Sequence, residues 1–516
     1  MKRLFYSESG NNGFNYILGF LFLLCTILGT RYQYFLLRQK EWGDESETIV
    51  TAKMMAAGKH LYSEIFNHHG PLTFLSGVAM ESMGDFGVRG HRVPVALLQL
   101  ISLCAIYYSP ILKNNTTRIF SVVYAFSFTI FLMPLFLGHM YTYQAIVGPL
   151  ILIILFLYTF PSIIDQNLLT PNRVFVGSLL LSCLPFLAVT YIPIAAILFF
   201  ASLARPFIKA STVGLLIGIA LNLLFLAVYG SVKGYIAFHF YLNSEVLPIY
   251  IGTPSLLSII QSAWDNLAKN PLTILSLVIA SVGIFSLAAY EKKIPWRSGL
   301  LAAGIGSLLI RGVDFHGLAY YYVFVALSIL PILGKIQGYA LLLKYATLAI
   351  SLFFITKSSL LLPGVRQELN ENKIPTETEF SRLVKKYTNK DEKIIVYSFQ
   401  NFQYLASERL PASGHFFYLP WQEKYNEDPI LGIKIDACQE ISDYRPKVML
   451  IDQWTVWGLY PWSSYAGCIQ NLMDNLYNKV PGRPYYIRKD ISAEEIPSVW
   501  NSRSDPLDGR PDSRAR

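Results

Sequence analysis

The sequence predicts a polytopic α-helical membrane protein with a small C-terminal α/β domain, and three observations lead there. Charged residues make up 15% of the 516, against roughly 25% in soluble domains. Apolar runs near the length of a membrane span, about 20 residues, recur between residues 14 and 362. After Pro363 charges become dense, and short apolar strands alternate with helical segments.

Lys2 and Arg3 precede an apolar stretch from Phe14 to Thr30, which Tyr32, Tyr34 and Phe35 follow. No small-residue cleavage site accompanies it, so it reads as a signal anchor with the N-terminus in the cytoplasm. Further spans are expected near 93–112, 118–138, 143–160, 174–189, 190–204, 212–229, 272–290, 297–311, 318–334 and 341–362, about eleven with the first. At Thr190-Tyr191-Ile192-Pro193 the alternative to two spans is one long kinked helix.

Charge placement supports the odd count. Lys113 and Arg118, Arg173, Arg205 and Lys209, Lys292, Lys293 and Arg297, and Lys335 fall in loops that would be cytoplasmic. The loop 37–92, the loop 230–271, the turn Arg311–Gly317 and everything after residue 363 then share the outer side. A multi-pass protein of a bacterial inner or plasma membrane, with its C-terminal domain extracytoplasmic, is expected. The net charge of +9 is spread over these short loops, without a basic stripe interleaved with aromatics, which argues against nucleic acid as a partner. Loop 230–271 is rich in aromatics and reads either as a segment along the membrane interface or as a partly buried connector.

The domains are expected at 1–363 (transmembrane, with its first external loop at 37–92), 364–500 (α/β) and 501–516, a polar disordered tail. Within 364–500, residues 392–399 and 447–454 read as strands, 401–410 as a short helix and Ala437–Ile441 as part of another. No glycine-rich phosphate loop follows either strand, so a nucleotide site is unsupported. Cys25, Cys104 and Cys183 lie inside apolar runs. Cys438 and Cys468 would pair if their domain is exported, and two free thiols are the alternative. Neither short repeats nor paired broken helices are evident.

The loop 37–92 carries the candidate chemistry. Asp44 and Glu45 are adjacent, so on a helix they diverge by about 100° and do not form a symmetric pair. Helical spacing at Ile49, Ala52, Met55 and Ala56 makes Asp44 equally suited to cap that helix. His68 and His69 precede a Gly70-Pro71 turn and lack the spacing of a zinc helix. Arg92 could anchor the next span by snorkelling.

Taken in order, Asp44-Glu45, Gly58, Tyr62, Pro71-Leu72, Gly84 or Gly87, and Arg92 resemble the first external loop of the GT-C glycosyltransferases. The nearest branch holds the dolichyl-phosphate-mannose protein mannosyltransferases and the bacterial aminoarabinose transferase. A second likeness lies at Arg311, His316 and Tyr320, before a late helix. The resemblance covers the layout of the membrane part and these two short motifs. It implies a cell-envelope glycosylation enzyme that transfers a hexose or pentose from a polyprenyl-phosphate donor to a glycan, lipid or protein acceptor at the outer face, with inversion. Asp44 would be the general base, and Glu45 would position the acceptor or, with Asp44, hold a divalent cation such as Mg or Mn. Tyr62, His68, His69, Arg92, Arg311, His316 and Tyr320 would line the substrate site, the cationic ones facing the lipid phosphate.

The chain departs from the family pattern at two points. His69-Gly70-Pro71-Leu72 stands where many relatives have Lys-Pro-Pro-Leu, which puts an imidazole in place of a phosphate-contacting ammonium. The turn His139–Gln144 lacks the second acidic residue of some relatives, which weakens the expectation of a firmly held metal. Competing readings are a polysaccharide ligase or polymerase with a polyprenyl-diphosphate donor, a transporter or flippase of a lipid-linked substrate, and a non-catalytic assembly factor. Spans nearly free of ionisable residues disfavour the transporter.

Overall fold

The computed structural model describes residues 12–491 apart from 253–254, 269–270, 292–293, 311, 313 and 334–339. The expected disordered tail and Arg311 lie outside the described residues. Two compact units emerge. The first comprises 1–376 with 424–435, and the second 377–423 with 436–516.

The first unit is helical. Its opening elements are α1 (Asn12–Leu36), α2 (Gly43–Ala56), α3 (Leu72–Met83), α4 (Gly87–Tyr107), α5 (Asn115–Leu135) and α6 (Tyr143–Ile154). Helices then cover Pro171–Cys183, Ile192–Ser202, Ile208–Tyr229, Pro271–Ala288, Trp296–Leu309, Leu318–Ile329 and Ala340–Glu371. Each expected span coincides with one of these helices. Among the described residues seven are long and apolar enough to cross a membrane, while Val189–Ser202 and Thr273–Ala288 are shorter apolar helices. Near Thr190 the chain breaks into 3-10 turns at Leu184–Phe186 and Val189–Tyr191, so two helices stand there. Pro185 and Pro193 flank that break and cannot donate to a continuous helical ladder. The last helix continues through Pro363 to Glu371, which carries the first unit past residue 363.

Between spans, close backbone approach rests on small residues. A side chain at Gly214 would meet the carbonyl oxygen of Phe175 at 2.3 Å, and one at Gly218 would meet Ser182 Oγ at 2.0 Å. This four-residue spacing of glycines lets helix Ile208–Tyr229 lie against Pro171–Cys183, as small-xxx-small pairs do in membranes. In the 230–271 stretch, the helix Leu256–Ala268 leaves Leu257, Ile260 and Trp264 exposed at helical spacing on one side. Residues Tyr235–Val246 form a π-helical turn whose Tyr235, Phe238 and His239 are buried.

The second unit holds a four-stranded sheet in the order β1 (Ile395–Tyr397), β2 (Val448–Ile451), β4 (Tyr485–Arg488), β3 (Tyr477–Lys479). β1 and β2 are parallel, and the other pairs antiparallel. β1 and β2 fall inside the expected apolar runs and are buried throughout. Helices Phe402–Ser407 and Ala437–Tyr444 stand where short helices were expected. Cys438 and Cys468 are bonded to each other, with Cα atoms 6.2 Å apart. The free-thiol alternative is thereby set aside.

Candidate active site

α2 begins at Gly43, with Trp42 as an extended N-cap residue that makes no side-chain cap. Asp44 is therefore not the cap. It lies inside the first turn with Glu45, where the exposed N–H groups favour negative charge. The two neighbours then diverge, as adjacent residues on a helix must. Glu45 turns fully inward and accepts from Arg92 Nε at 2.8 Å and Nη2 at 2.5 Å, and from the Tyr141 backbone N–H at 2.7 Å. Arg92 completes its contacts on the carbonyls of Leu36 (2.6 Å) and Gln39 (2.8 Å). Both side chains are closed to solvent, and their contacts are with each other and with the backbone of neighbouring elements. Both Glu45 oxygens are thus engaged by Arg92 or Tyr141, and Arg92 ties α4 to the end of α1 instead of snorkelling.

The residue that does share a face with Asp44 is Glu47, three positions on. Its carboxylate accepts from Asn67 Nδ2 at 3.1 Å and faces His69 Nδ1 at 3.6 Å. Asn67 is the hub of this corner. Its amide also reaches Thr51 Oγ1 at 3.1 Å, and its oxygen accepts from the His69 backbone N–H at 2.9 Å. The buried Tyr62 hydroxyl donates to the His69 carbonyl at 2.5 Å, so Tyr62 fixes the loop. His68 is held through its carbonyl, which lies 3.1 Å from His239 Nδ1 and accepts from Asn243 Nδ2 at 3.1 Å. Gly70 is needed here because a Cβ would sit 2.1 Å from the Phe186 carbonyl oxygen. The His69 ring rests 4.9 Å from that of Tyr143.

From the far side of the sequence, the turn before helix Leu318–Ile329 comes to α2. Phe315 packs edge-on against Trp42 at 4.7 Å, and His316 bonds Asp314 Oδ1 through its backbone N–H (2.9 Å) and its ring Nδ1 (3.2 Å). His316 remains partly exposed and its field reaches Asp44. Tyr320 departs from expectation. Its hydroxyl pairs with Ser276 Oγ at 2.7 Å in the packing against helix Pro271–Ala288.

Asp44 keeps part of its surface accessible while lying deep among protein atoms. Burial raises its pKa from 3.8 to about 6, with His316 opposing the rise. Glu47 is pushed well above its ordinary range by burial and then by the Asp44 charge, and the Asn67 hydrogen bond pulls back. Glu41 rises to about 7, chiefly through burial. The geometry thus gathers Asp44, Glu47, His69 and His316 and leaves Glu45, Tyr62, Arg92 and Tyr320 in supporting contacts. Glu47 and Asn67 were absent from the sequence-derived set, although the i, i+3 spacing from Asp44 to Glu47 was there to be read. Among the described residues no group of three or more His, Cys, Asp or Glu could hold a metal ion.

A long-spanned helical unit, a polar loop helix between its first two spans and a small mixed sheet at the C-terminal end together define the GT-C type of membrane fold. Solved structures of ArnT from Cupriavidus metallidurans have it. The apo form superposes with a TM-score of 0.50 at 12% identity, over 91% of this chain and 97% of that one. The undecaprenyl-phosphate-bound form gives 0.49 at 12% identity, over the same shares. No family model matches the chain, and no curated protein does.

Proposed function

We propose that the protein is an integral-membrane glycosyltransferase that moves a sugar from a polyprenyl-phosphate donor to an acceptor at the extracytoplasmic face. The observation that carries this reading is the buried, partly accessible Asp44 on the first turn of α2, beside Glu47 and facing the field of His316. The fold adds support, as does the ordered likeness of residues 44–92 to the GT-C external loop.

In the proposed reaction the acceptor hydroxyl or amine attacks the anomeric carbon as Asp44 removes its proton. The bond from that carbon to the phosphate oxygen breaks, and the lipid phosphate leaves with the electron pair. One displacement inverts the anomeric centre. A carboxylate with a pKa of about 6 is poised for this task near neutrality, being ionised yet more basic than an exposed aspartate. Glu47 is the neighbour to which a proton can pass, and His69, His316 and Arg311 are the cations proposed to meet the leaving phosphate.

On this reading the N-terminus is cytoplasmic and the second unit lies outside. The Cys438–Cys468 bond agrees with that side, because disulfides persist in oxidising compartments. The test is sugar transfer from a polyprenyl-phosphate sugar in liposomes, comparing the wild type with a folded Asp44→Asn variant. Full activity in the variant would remove Asp44 from the base role. Turnover of polyprenyl-diphosphate donors alone would move the protein to the polysaccharide ligases.

A further inference from the structure

Away from Asp44, a cavity of about 680 Å³ lies between α1 and the last helix of the first unit, within the size range of small-molecule sites. Its polar lining includes Arg31 from α1 and Arg366, Gln367 and Asn370 from helix Ala340–Glu371, over an apolar floor that includes Phe35 and Leu362. The two helices are locked at this end. The Tyr32 hydroxyl donates to the Ser358 carbonyl at 2.6 Å, and Gln39 pairs with Lys373 in an antiparallel bridge. The cavity therefore sits at the end of the bundle from which the loop bearing α2 departs.

Its charges are open to solvent. Gln367 donates to Glu371 at 3.3 Å, and the nearby Arg38 is engaged by the Tyr34 carbonyl and ring. Arg31 and Arg366 make neither a hydrogen bond nor an ion pair among the described residues. Two guanidinium groups line one cavity with apolar carbon beneath them. Below it, the α1 residues Phe20, Leu23 and Ile27 and the last helix's Phe353, Leu360 and Leu361 are exposed apolar surface. Guanidinium groups fit phosphate oxygens in a planar fork, and an apolar wall running away from them fits an alkyl chain. A water-soluble anion would have no use for that wall.

We propose that this cavity binds the phosphate headgroup of an anionic membrane lipid, held by Arg31 and Arg366, with its chain lying along α1 and the final helix. The lipid phosphate could come from a bilayer glycerophospholipid or from a polyprenyl phosphate, and the experiment separates the two.

Purified protein in neutral detergent is offered phosphatidylglycerol, phosphatidylcholine of the same chains, undecaprenyl phosphate or inorganic phosphate. Lipid retention is read by native mass spectrometry. The wild type is expected to keep one phosphatidylglycerol or undecaprenyl phosphate in preference to phosphatidylcholine, and inorganic phosphate is expected not to displace it. Whichever of the two anionic lipids competes out the other names the source. Arg31→Ala with Arg366→Ala should lose roughly tenfold or more in retention, while Arg31→Lys with Arg366→Lys should keep most of it. Thermal unfolding of each variant shows that the fold has survived. Equal retention by the wild type and the double alanine variant would overturn the proposal, as would equal retention of the neutral lipid.

Discussion

Glu45 and Arg92 form a closed pair, with two guanidinium nitrogens on two carboxylate oxygens and neither side chain reaching solvent. Through Tyr141 and the carbonyls of Leu36 and Gln39 this pair joins α1, α2, α4 and the turn before α6. It holds the first turn of α2, and so Asp44, against the bundle.

Breaking that pair from one side should therefore act on stability. Glu45→Gln leaves a buried guanidinium opposite a neutral amide, which costs about 3–5 kcal/mol in comparable buried pairs. Arg92→Lys cannot reproduce the two-point contact and should also destabilise. Both are expected to lower the thermal unfolding midpoint in detergent. Unchanged midpoints in both variants would mean the pair is not what anchors α2.

Asp44 should behave in the opposite way. Its folded-state pKa lies above its ordinary value, so the folded protein holds this proton more tightly than the unfolded chain between pH 3.8 and about 6. Asp44 therefore lowers stability as pH rises through that window, and the loss persists above it. Asp44→Asn should match or exceed the wild type in thermal stability at neutral pH while losing roughly 10²–10⁴-fold in sugar transfer. In the wild type, kcat/KM should climb with pH through about 6 as the base ionises. A variant that loses activity and stability together would mark Asp44 as structural.

The contrast between these acids shows what the sequence could carry. Apolar runs and loop charges placed the helices and the first two strands, because burial in lipid or in a sheet leaves a local pattern. β3 and β4 escaped because Tyr477–Lys479 is mostly exposed and Pro481 to Pro484 breaks the run between them. Arg92 looked like an interfacial anchor because its partner lies far off in sequence, on another helix. Tyr320 looked like a site residue because its motif matched, yet the packing of its helix turns the hydroxyl to Ser276. Asn67 offers no local signal, since its role exists only once α2 and the loop before Gly70 meet.

The disulfide gives a prediction for the second unit. Cys438 and Cys468 close a loop of 30 residues' separation and tie helix Ala437–Tyr444 to helix Gly467–Leu476. Replacing both by serine should remove about 3–4 kcal/mol of stability on loop-entropy grounds. The checks are limited proteolysis of the second unit and thiol labelling of unreduced wild-type protein in intact cells. A wild type whose Cys438 and Cys468 label freely without reductant would contradict the bond and the outer placement together.

Glu47 and His69 set the last prediction. Their 3.6 Å contact places a carboxyl beside an imidazole, and Asn67 holds both partners in register. Asp44 and Glu47 lie on one face of α2, so their protons should leave in two coupled steps that belong to the pair. Glu47→Gln should reduce those steps to one in the pH profile of kcat/KM while leaving much of kcat in place. His69→Ala should raise the donor KM with a smaller effect on kcat. His69→Lys places a permanent charge at this position, so it should keep the donor KM near or below that of the wild type. If His69→Ala keeps the wild-type donor KM, His69 does not contact the phosphate, and the corner built by Glu47 and Asn67 serves the fold of the loop alone.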